Sequence, residues 1–510
     1  MGRGADLAPG YDVVVVGGGT AGSIVAARLS EADQGSVLVL EAGPDYPDEG
    51  SRPAALLAPR SSLDPAYYWA FDGQATSEDA DPLFVMRGRV IGGSGAINGL
   101  SVLRGLPEDY DSWGMEAWSW DRMLEAYRRI ETDHDFDDAN HGSAGPIPVR
   151  RLRREDFGEV EEGLFRAALE HGFAERSDVN APDRDGVGMT PHNVGASGLR
   201  VDTAAAFLDA DARLRPNLEI AGGATVRRIL WDGTRAAGVE VEREGVLAKV
   251  EAGEVILAAG AVSSPHLLFL SGIGPAADLG AAGVPVVVDL PGVGQNLQDH
   301  PTMRVTLHPS KPLGSDPLHT PIVAHFTAEG SEFASDVQLS LISLPESPLV
   351  EATTFLGCHL LRGTAVGELQ FFSGDVADQP RLVFNYYESE RDLRRGREAI
   401  RSAVALVDRR PLREALDSVD APDPETLASD RQLNQWIRAN VATAYHSVGT
   451  CKIGADGDPL AVVDESCRVR GVESLRVVDL SIVPTIGRAN TFATAAVVGM
   501  RGADLILGAA

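Results

Sequence analysis

One turn, between a run of valines and an alanine-rich helix, limits the fold of this chain more than any other stretch. The valines at 13–16 form the continuous β-branched run that a strand buried on both faces requires. Gly17, Gly19 and Gly22 follow at G-x-G-x-x-G spacing, which allows a tight strand-to-helix turn and brings backbone N–H groups close to a pyrophosphate. The sequence therefore predicts an α/β fold built on a parallel sheet.

A second strand at 37–40 ends in Glu41, about 20 residues beyond the last glycine of the turn. An acidic residue at this place accepts hydrogen bonds from the ribose hydroxyls of an adenosine. Glu41 favours a ribose without a 2′-phosphate, so NAD and FAD both remain possible and NADP is disfavoured. These residues alone predict a bound adenosine diphosphate and leave the choice of dinucleotide open.

The composition is that of an ordinary globular protein with two joined domains. The chain has 510 residues, 44% hydrophobic and 23% charged, and it is too long for a single core. Its 74 acidic and 45 basic residues give a formal charge of −29, which opposes binding to nucleic acid or to an anionic membrane surface. The basic cluster of Arg150, Arg151, Arg153 and Arg154 is typical of a solvated surface turn.

Cysteine usage and hydropathy indicate the compartment. Cys358, Cys451 and Cys467 have no C-x-x-C spacing and fit a reducing compartment without disulfides. The first ten residues lack the apolar core of a signal peptide, and no run of about 18 apolar residues occurs. No grouping of His, Cys and Asp has the spacing of a metal site. We therefore expect a cytoplasmic protein with no membrane span and no metal.

A second glycine-rich segment lies at 88–99, where glycine alternates with Val, Ile and Ala. This pattern favours a backbone that approaches a flat ligand closely. Residues 43–82 are expected to form a covering loop. Short strands between 218 and 257 are expected to form a small antiparallel layer, and a buried strand at 254–260 is expected to rejoin the first sheet and lead into a helix.

The remaining periodicities predict helices at 122–130 and 157–171. From 302 to about 437 the glycine motifs disappear, and this part is the predicted second domain. Its strands at 336–344 and 367–372 are expected to share a separate sheet, followed by a charged helix at 390–409. The C-terminal residues are again rich in glycine and alanine, like the N-terminal part, and end in a predicted helix at 492–507.

Five segments resemble signature segments of the glucose-methanol-choline (GMC) flavin oxidoreductases. They are residues 88–98, 260–274, 292–300 (GVGQNLQDH), 446–451 (HSVGTC) and 477–490. They occur in the family's order, and the resemblance covers nearly the whole chain apart from 302–440. It implies that the dinucleotide is FAD.

The resemblance also implies a division of the chain. It gives an FAD-binding Rossmann-like domain of residues 1–140, 200–301 and 441–510, and a second, sheet-plus-helix substrate domain of residues 141–199 and 302–440. Some relatives attach the flavin covalently to a histidine at the position of Ile97. Because isoleucine cannot form that bond, we expect FAD to be bound non-covalently.

The cofactor contacts are assigned by the same resemblance. The glycine turn would hold the pyrophosphate and Glu41 the ribose, Val226 would meet the adenine, and residues 92–99 would lie along the isoalloxazine ring under a loop that contains Trp69. The full implied set is Gly17, Gly19, Thr20, Ala21, Gly22, Glu41, Ala42, Trp69, Val90, Gly92, Gly93, Asn98, Gly99, Val226, Asp479, Asn490 and Thr491.

The chemistry is placed on His446 and Asn490. Alcohol oxidation needs a base within hydrogen-bond reach of the hydroxyl, and the ordinary pKa of histidine lies near the operating pH. Family members pair this histidine with a second His or Asn six residues after a proline, and Asn490 has that position relative to Pro484. An amide can donate to the alkoxide but cannot take its proton, so His446 is the expected sole base. His300 is interpreted as structural.

The predicted function is FAD-dependent oxidation of a small-molecule alcohol to a carbonyl. A hydroxynitrile lyase that retains FAD without redox turnover is the alternative of another reaction class. A non-catalytic flavin protein and an NAD-dependent dehydrogenase are less favoured, since they leave the catalytic pair or the later glycine motifs unexplained. The electron acceptor, oxygen or a redox carrier, stays open. Segments within 130–151 resemble actinobacterial members linked with the cofactor mycofactocin, which favours a dehydrogenase.

Overall fold

The computed structural model describes residues 7–33, 35–59, 64–77, 82–311, 320–344 and 352–508. Their strands are β1 (Gly10–Val16), β2 (Val37–Leu40), β3 (Tyr68–Gln74), β4 (Leu83–Gly88), β5 (Glu131–Asp133), β6 (Ile147–Val149), β7 (Gly186–Met189), β8 (Leu218–Ala221), β9 (Ala224–Asp232), β10 (Arg235–Arg243), β11 (Val246–Leu257), β12 (Ile273–Gly274), β13 (Val288–Asp289), β14 (Gln295–Leu297), β15 (Pro301–Pro309), β16 (Ile322–Phe326), β17 (Val337–Leu344), β18 (Thr353–Leu360), β19 (Gly367–Gln370), β20 (Arg381–Val383), β21 (Leu416–Asp420), β22 (Ala442–Thr443) and β23 (Leu475–Val477).

The helices of the same residues are α1 (Thr20–Glu31), α2 (Ala54–Leu57), α3 (Pro107–Asp111), α4 (Trp120–Ile130), α5 (Glu159–His171), α6 (Thr203–Phe207), α7 (Ala210–Arg213), α8 (Gly260–Leu270), α9 (Ala276–Ala281), α10 (Glu390–Val407), α11 (Arg410–Arg413), α12 (Pro424–Ala428), α13 (Asp430–Asn440) and α14 (Thr491–Leu507). None of these helices is long and apolar enough to cross a membrane. The four longer helices predicted from periodicity are all present, with ends shifted by one or two residues.

The first sheet has β1 at its centre, in parallel pairing with β2 on one side and β11 on the other. β8 extends the sheet beyond β2, and β23 pairs with the end of β11, both in parallel. The four valines of β1 are buried, as their unbroken apolar run predicts for a strand covered on both faces. The parallel strands therefore end together, and the segments that follow them meet at one edge of the sheet.

The region 218–257 differs from the predicted antiparallel layer in two respects. β8 lies at the far edge of the first sheet, parallel to β2, and takes no part in the β9–β10–β11 meander. Residues 246–257 form one strand rather than two: the first half of β11 pairs with β10 and the second half with β1 and β23. The prediction that residues 254–257 rejoin the first sheet and lead into a helix is confirmed, since α8 follows directly.

The second large sheet is antiparallel, with the strand order β21-β15-β18-β17-β16-β7. Its apolar face carries residues such as Met303, Leu339 and Leu356, which belong to a buried cluster with Ile400 and Leu406 of α10. Its other face carries polar residues at alternating positions, among them Thr302, Gln338 and His359. In register, Thr302 pairs with His359 and His359 with Gln338, so these side chains share one face.

A third, mixed sheet joins β3 and β4 to β14, β19 and β20. The predicted covering loop at 43–82 therefore contains a strand, β3, which pairs with β4 as a hairpin; residues 60–63 and 78–81 lie outside the described part. The predicted strand at 367–372 is β19 of this sheet and not a partner of β17, so its assignment to the same sheet as 336–344 was wrong. The domain boundaries stay a prediction.

Candidate functional site

A long cavity opens at the carboxyl ends of the parallel strands, where ligands bind in sheets of this kind. The glycine turn forms part of its wall. Gly17 has φ +101°, and a Cβ at this residue would stand 2.6 Å from the carbonyl oxygen of Ala258. No side chain caps the N-terminus of α1, so its first N–H groups are left for a ligand. The turn fits the pyrophosphate of a dinucleotide.

The second glycine segment packs directly against the first. The N–H of Gly92 donates to the carbonyl oxygen of Gly18 at 2.7 Å. A Cβ on Gly93 would stand 2.7 Å from Cα of Gly19, so Gly93 has no space for a side chain. The two motifs, about 70 residues apart in the sequence, therefore form one continuous backbone surface along the cavity.

Glu41 lies at the end of β2, buried at the cavity wall. Its Oε2 accepts from the N–H of Gly18 at 3.0 Å, and its Oε1 accepts from the N–H of Gly43 at 2.9 Å. Burial raises the pKa of Glu41 to about 7, against the lowering effect of these two donors. The carboxyl group is thus held in place by backbone, with lone pairs left for the hydroxyls of a ribose.

Asp479 and Asn98 are also held by fixed partners. Oδ2 of Asp479 accepts from the N–H of Gly260 at 2.8 Å and from the hydroxyl of Ser264 at 2.5 Å. Oδ1 of Asn98 accepts from Nη1 of Arg200 at 2.7 Å, which leaves the Asn98 NH₂ group to donate into the cavity. Both side chains are therefore positioned before any ligand binds.

The structure brings most of the predicted site residues to this one cavity. Those that line it are Gly17, Gly19, Thr20, Ala21, Glu41, Ala42, Trp69, Gly93, Asn98, Gly99, Val226, His446, Asp479, Asn490 and Thr491. Gly22, Val90 and Gly92 lie behind the wall: a Cβ on Gly22 would stand 1.9 Å from the carbonyl oxygen of Gly17, and Val90 is fully buried. Whether any of these predicted site residues contacts a cofactor stays a prediction.

His446 stands on the cavity wall, and a second histidine determines which of its nitrogens carries hydrogen. Nε2 of His300 lies 3.0 Å from the carbonyl oxygen of Gly487, which can only accept. Burial lowers the pKa of His300 to about 4, so the neutral ring has its hydrogen on Nε2 and accepts at Nδ1. His446 Nδ1, 3.0 Å from His300 Nδ1, must then donate.

This leaves Nε2 of His446 with a free lone pair, since no described residue bonds to it. Burial, followed by unfavourable electrostatic interactions with His300, His359 and Arg87, lowers the pKa of His446 well below its ordinary value. The ring is therefore neutral at neutral pH. Its backbone is fixed as well, because its N–H donates to Oδ1 of Asp299 at 2.7 Å.

Asn490 is oriented by a second chain of hydrogen bonds. Its Oδ1 lies 3.3 Å from Nε2 of Gln338, which also donates to Ser340 Oγ at 2.8 Å. Oε1 of Gln338 lies 3.1 Å from Nε2 of His325 and accepts there. Because Oδ1 of Asn490 is occupied as an acceptor, its NH₂ group is the part left to donate into the cavity.

Sequence reasoning missed the residues behind His446 and Asn490 and the part of the cavity wall that β15, β17 and β18 supply. His300 was interpreted as structural, yet it contacts His446; Gln338, His359 and Arg304 were not considered. The last three lie on one face of β17, β18 and β15, at alternating positions. A polar residue at every second position of an otherwise apolar strand, as in Gln338 and Ser340 of VQLSLISL, was the available signal.

A buried charge cluster lies elsewhere, at β5 and β6. Glu131, Asp133 and His141 each place one possible metal-ligating atom within 4.8 Å of the others. However, Arg104 pairs with Glu131, and Arg151 pairs with Asp133 at 2.9 Å. Burial alone would lower the pKa of His141, but hydrogen bonds to Asp133, Asp178 and Glu131 raise it to about 10, so at neutral pH the protonated ring pairs with these carboxylates.

In the basic run at 150–154, which was interpreted as a solvated turn, Arg151 is the exception because it belongs to this cluster. The side chain of Arg151 is only 6% exposed, whereas that of Arg153 is 78% exposed. The guanidinium of Arg151 also lies 4.4 Å from the ring centroid of Phe136. The three cysteines, by contrast, are free and buried.

Comparison with known proteins agrees with this geometry. The models of the GMC oxidoreductase family match residues 11–302 and 363–499. The chain is 37% identical to the "Uncharacterized GMC-type oxidoreductase in thcA 5'region" of Rhodococcus erythropolis, over 98% of each chain. It is 36% identical to an oxygen-dependent choline dehydrogenase of Vibrio vulnificus, over 98% of this chain and 94% of that one.

A solved structure gives the same result for the fold. The pyridoxine 4-oxidase from Mesorbium loti superposes with a TM-score of 0.88 at 29% identity, and the match covers 98% of this chain and 99% of that chain. The predicted fold class, a Rossmann-like domain joined to a second domain of sheet and helix, is confirmed. The chain belongs to the GMC oxidoreductase family of flavoproteins.

Proposed function

We propose that this protein is an FAD-dependent oxidoreductase that oxidises an alcohol to the carbonyl compound, with His446 as the base. One observation carries the proposal: the free Nε2 of His446 and the backbone surface of the two glycine segments belong to the same cavity. When bound, FAD would supply the acceptor for the hydride that leaves the carbinol carbon. The relatives named for choline and pyridoxine, both of which carry alcohol groups, support this reaction class.

His446 would take the hydroxyl proton at Nε2. The His300 contact keeps hydrogen on Nδ1 and so keeps Nε2 available as acceptor. The low pKa that burial and nearby positive charge give this ring keeps it neutral before the reaction. A positioned general base of this kind contributes roughly 10²- to 10⁴-fold to rate.

Asn490 would stabilise the oxygen that loses the proton. Its NH₂ group is directed to the cavity because Gln338 occupies its carbonyl oxygen. A donor aimed at a developing oxyanion contributes roughly 10²- to 10³-fold. In this pair His446 would accept the hydroxyl proton, and Asn490 would donate a hydrogen bond to the resulting oxyanion.

The cofactor would be held by the backbone of the glycine turn, Glu41 and Asp479, without a covalent bond. Ile97 lines the cavity and offers no atom that could attach to a flavin. Acid precipitation of the purified protein should therefore release all yellow colour to the supernatant. Colour retained in the pellet would overturn this part.

Anaerobic mixing of the purified holoprotein with primary alcohols tests the function. We expect an alcohol to bleach the flavin, and His446→Ala to lower the bleaching rate roughly 10²- to 10⁴-fold while flavin content stays at one per chain. A flavin that stays oxidised while a cyanohydrin is cleaved would identify the lyase alternative instead.

The electron acceptor needs a separate measurement. Oxygen uptake and dye reduction, followed side by side with the same alcohol, distinguish an oxidase from a dehydrogenase. The likeness of residues 130–151 to mycofactocin-linked proteins favours a dehydrogenase, and we propose a redox carrier as acceptor. Rapid formation of hydrogen peroxide would contradict it.

A further inference from the structure

Two arginines lie at the His446 end of the cavity, and one of them has no carboxylate partner among the described residues. They are Arg87 and Arg304, which both line the cavity. The lining carboxylates among the described residues are Glu41 and Asp479, which lie at the ends of β2 and β23 and are held by backbone donors on the cofactor side. Any substrate beside His446 therefore meets cations rather than anions.

Arg87 and Arg304 differ in whether their charge is already balanced. Nη1 of Arg87 donates to the carbonyl oxygen of Tyr445 at 2.8 Å, and the buried carboxyl of Asp299 is close enough for each group to influence the pKa of the other. Arg304, in contrast, forms no ion pair or hydrogen bond with any described residue. Its guanidinium carbon lies 4.7 Å from the centroid of the Phe355 ring.

Arg304 is an exposed residue whose side chain also lines the cavity. It follows Thr302 by two residues on β15, so the two side chains lie on the same face, about 7 Å apart along the strand. Its charge acts on His359 and Tyr445, which both line the cavity beside the base. The stack on Phe355 holds the planar guanidinium against the wall with its N–H edge free.

Apolar side chains of neighbouring strands line the cavity together with this guanidinium. Ile342 pairs with Phe355 in register, and both line the cavity together with Leu344. These three offer an apolar surface for the body of a substrate, and the planar fork of arginine matches a carboxylate with two parallel hydrogen bonds. A quaternary ammonium alcohol such as choline would be repelled at the same place.

Resting on the function proposed above, we infer that the substrates are alcohols that carry a carboxylate on an apolar body, and that Arg304 binds this carboxylate. The hydroxyl end lies at His446 and the anionic end at β15. Arg304 is thus a specificity-determining residue of the substrate side.

Three para-substituted benzyl alcohols test the inference: benzyl alcohol itself, 4-(hydroxymethyl)benzoate and the 4-trimethylammonio derivative. In Arg304→Gln we expect kcat/KM for the benzoate to fall about 10-fold more than kcat/KM for benzyl alcohol, since a charged, partly solvated hydrogen-bonded pair is lost. The ratio between protein variants cancels the intrinsic reactivity of each alcohol. Arg304→Glu should reverse the preference in favour of the cation, and Arg304→Lys should restore part of it.

Arg153→Gln is the matched control, because it removes the same charge from a side chain that is 78% exposed and does not line the cavity. It should leave all three ratios at the wild-type values. An equal effect of Arg304→Gln on the three alcohols, or a wild-type preference for the cation, would overturn the inference.

Binding of benzoate, which cannot be oxidised, keeps the inference apart from the proposed function. Calorimetry on the holoprotein should show benzoate binding that weakens about 10-fold in Arg304→Gln, whereas benzyltrimethylammonium should not bind. This result together with an unreduced flavin would refute alcohol oxidation and keep the carboxylate site. Flavin reduction by an alcohol, together with benzoate binding that is equally tight in Arg304→Gln, would refute the carboxylate site and leave the proposed function in place.

Discussion

The two sides of the cavity are built in different ways. On the cofactor side the wall is backbone, made where residues 17–22 and 88–99 meet at the ends of parallel strands. On the substrate side the wall is side chains, supplied by alternate residues of β15, β17 and β18 that come together only through sheet register. A wall made of backbone requires particular residue types, such as glycine, at a fixed spacing within a short segment. A wall made of side chains requires that particular strands pair in a particular register.

The backbone wall gives the most severe test of this difference. A Cβ on Gly22 would stand 1.9 Å from the carbonyl oxygen of Gly17, which no side-chain rotation can relieve. We expect Gly22→Val to retain no flavin, measured as the ratio of flavin absorbance to protein. Gly280→Val is the matched control, since no atom lies within 4 Å of a Cβ at that position. Normal flavin content in Gly22→Val would show that the turn does not form the cradle.

The same difference explains how much could be read from the sequence. The sequence pointed to Gly17 and Gly93 because only glycine fits such tight backbone contacts, and to Glu41 because an acid is expected at that spacing after the turn. The fold class was predicted from the same residues. Gln338 and Arg304 were not found, because a polar residue in a strand has no role until its neighbours are known. The parallel edge position of β8 was missed for a related reason: a short apolar strand does not state which partner it will take.

The charge cluster at β5 and β6 lies outside both walls, and its charged side chains pair with one another. The pKa of His141 is raised from 6.5 to about 10 by its carboxylate partners, so its ionised form stabilises the fold. That contribution is complete below pH 6.5 and is lost as the pH rises through about 10.

We therefore expect His141→Gln to lower the free energy of unfolding by about 2–3 kcal/mol at low pH, with the gap to wild type closing as the pH rises. Denaturant unfolding at about pH 6 and about pH 9.5 measures it. His308→Gln serves as control, because that histidine is half exposed and pairs with an exposed Asp420. A gap that does not depend on pH would contradict the role of the His141 charge.

His300 tests whether the substrate side acts through orientation. In His300→Ala the acceptor for His446 Nδ1–H is lost, so the hydrogen can move to Nε2, and we expect kcat/KM to fall roughly 10- to 100-fold. Water that enters the space left by the ring should reduce the desolvation of His446 and so raise its pKa, which moves the acid limb of the pH–rate profile to higher pH. His300→Asn keeps an acceptor oxygen and should recover part of the rate. An unchanged profile would leave His300 with a packing role only.

Gln338 gives the smallest and most specific effect, because it touches neither the base nor the glycine wall. Gln338→Leu removes one neutral hydrogen bond that orients Asn490, a loss of about 0.5–1.5 kcal/mol, or roughly 2- to 10-fold in rate. The fall should appear in kcat rather than KM, since the amide donates mainly to the alkoxide that forms during the reaction. Gln370→Leu, which replaces a half-buried glutamine on β19 bonded to Glu368, is the control. Loss of flavin from Gln338→Leu would contradict this separation. It would mean that the side-chain wall is also needed to hold FAD, which the backbone wall is proposed to bind.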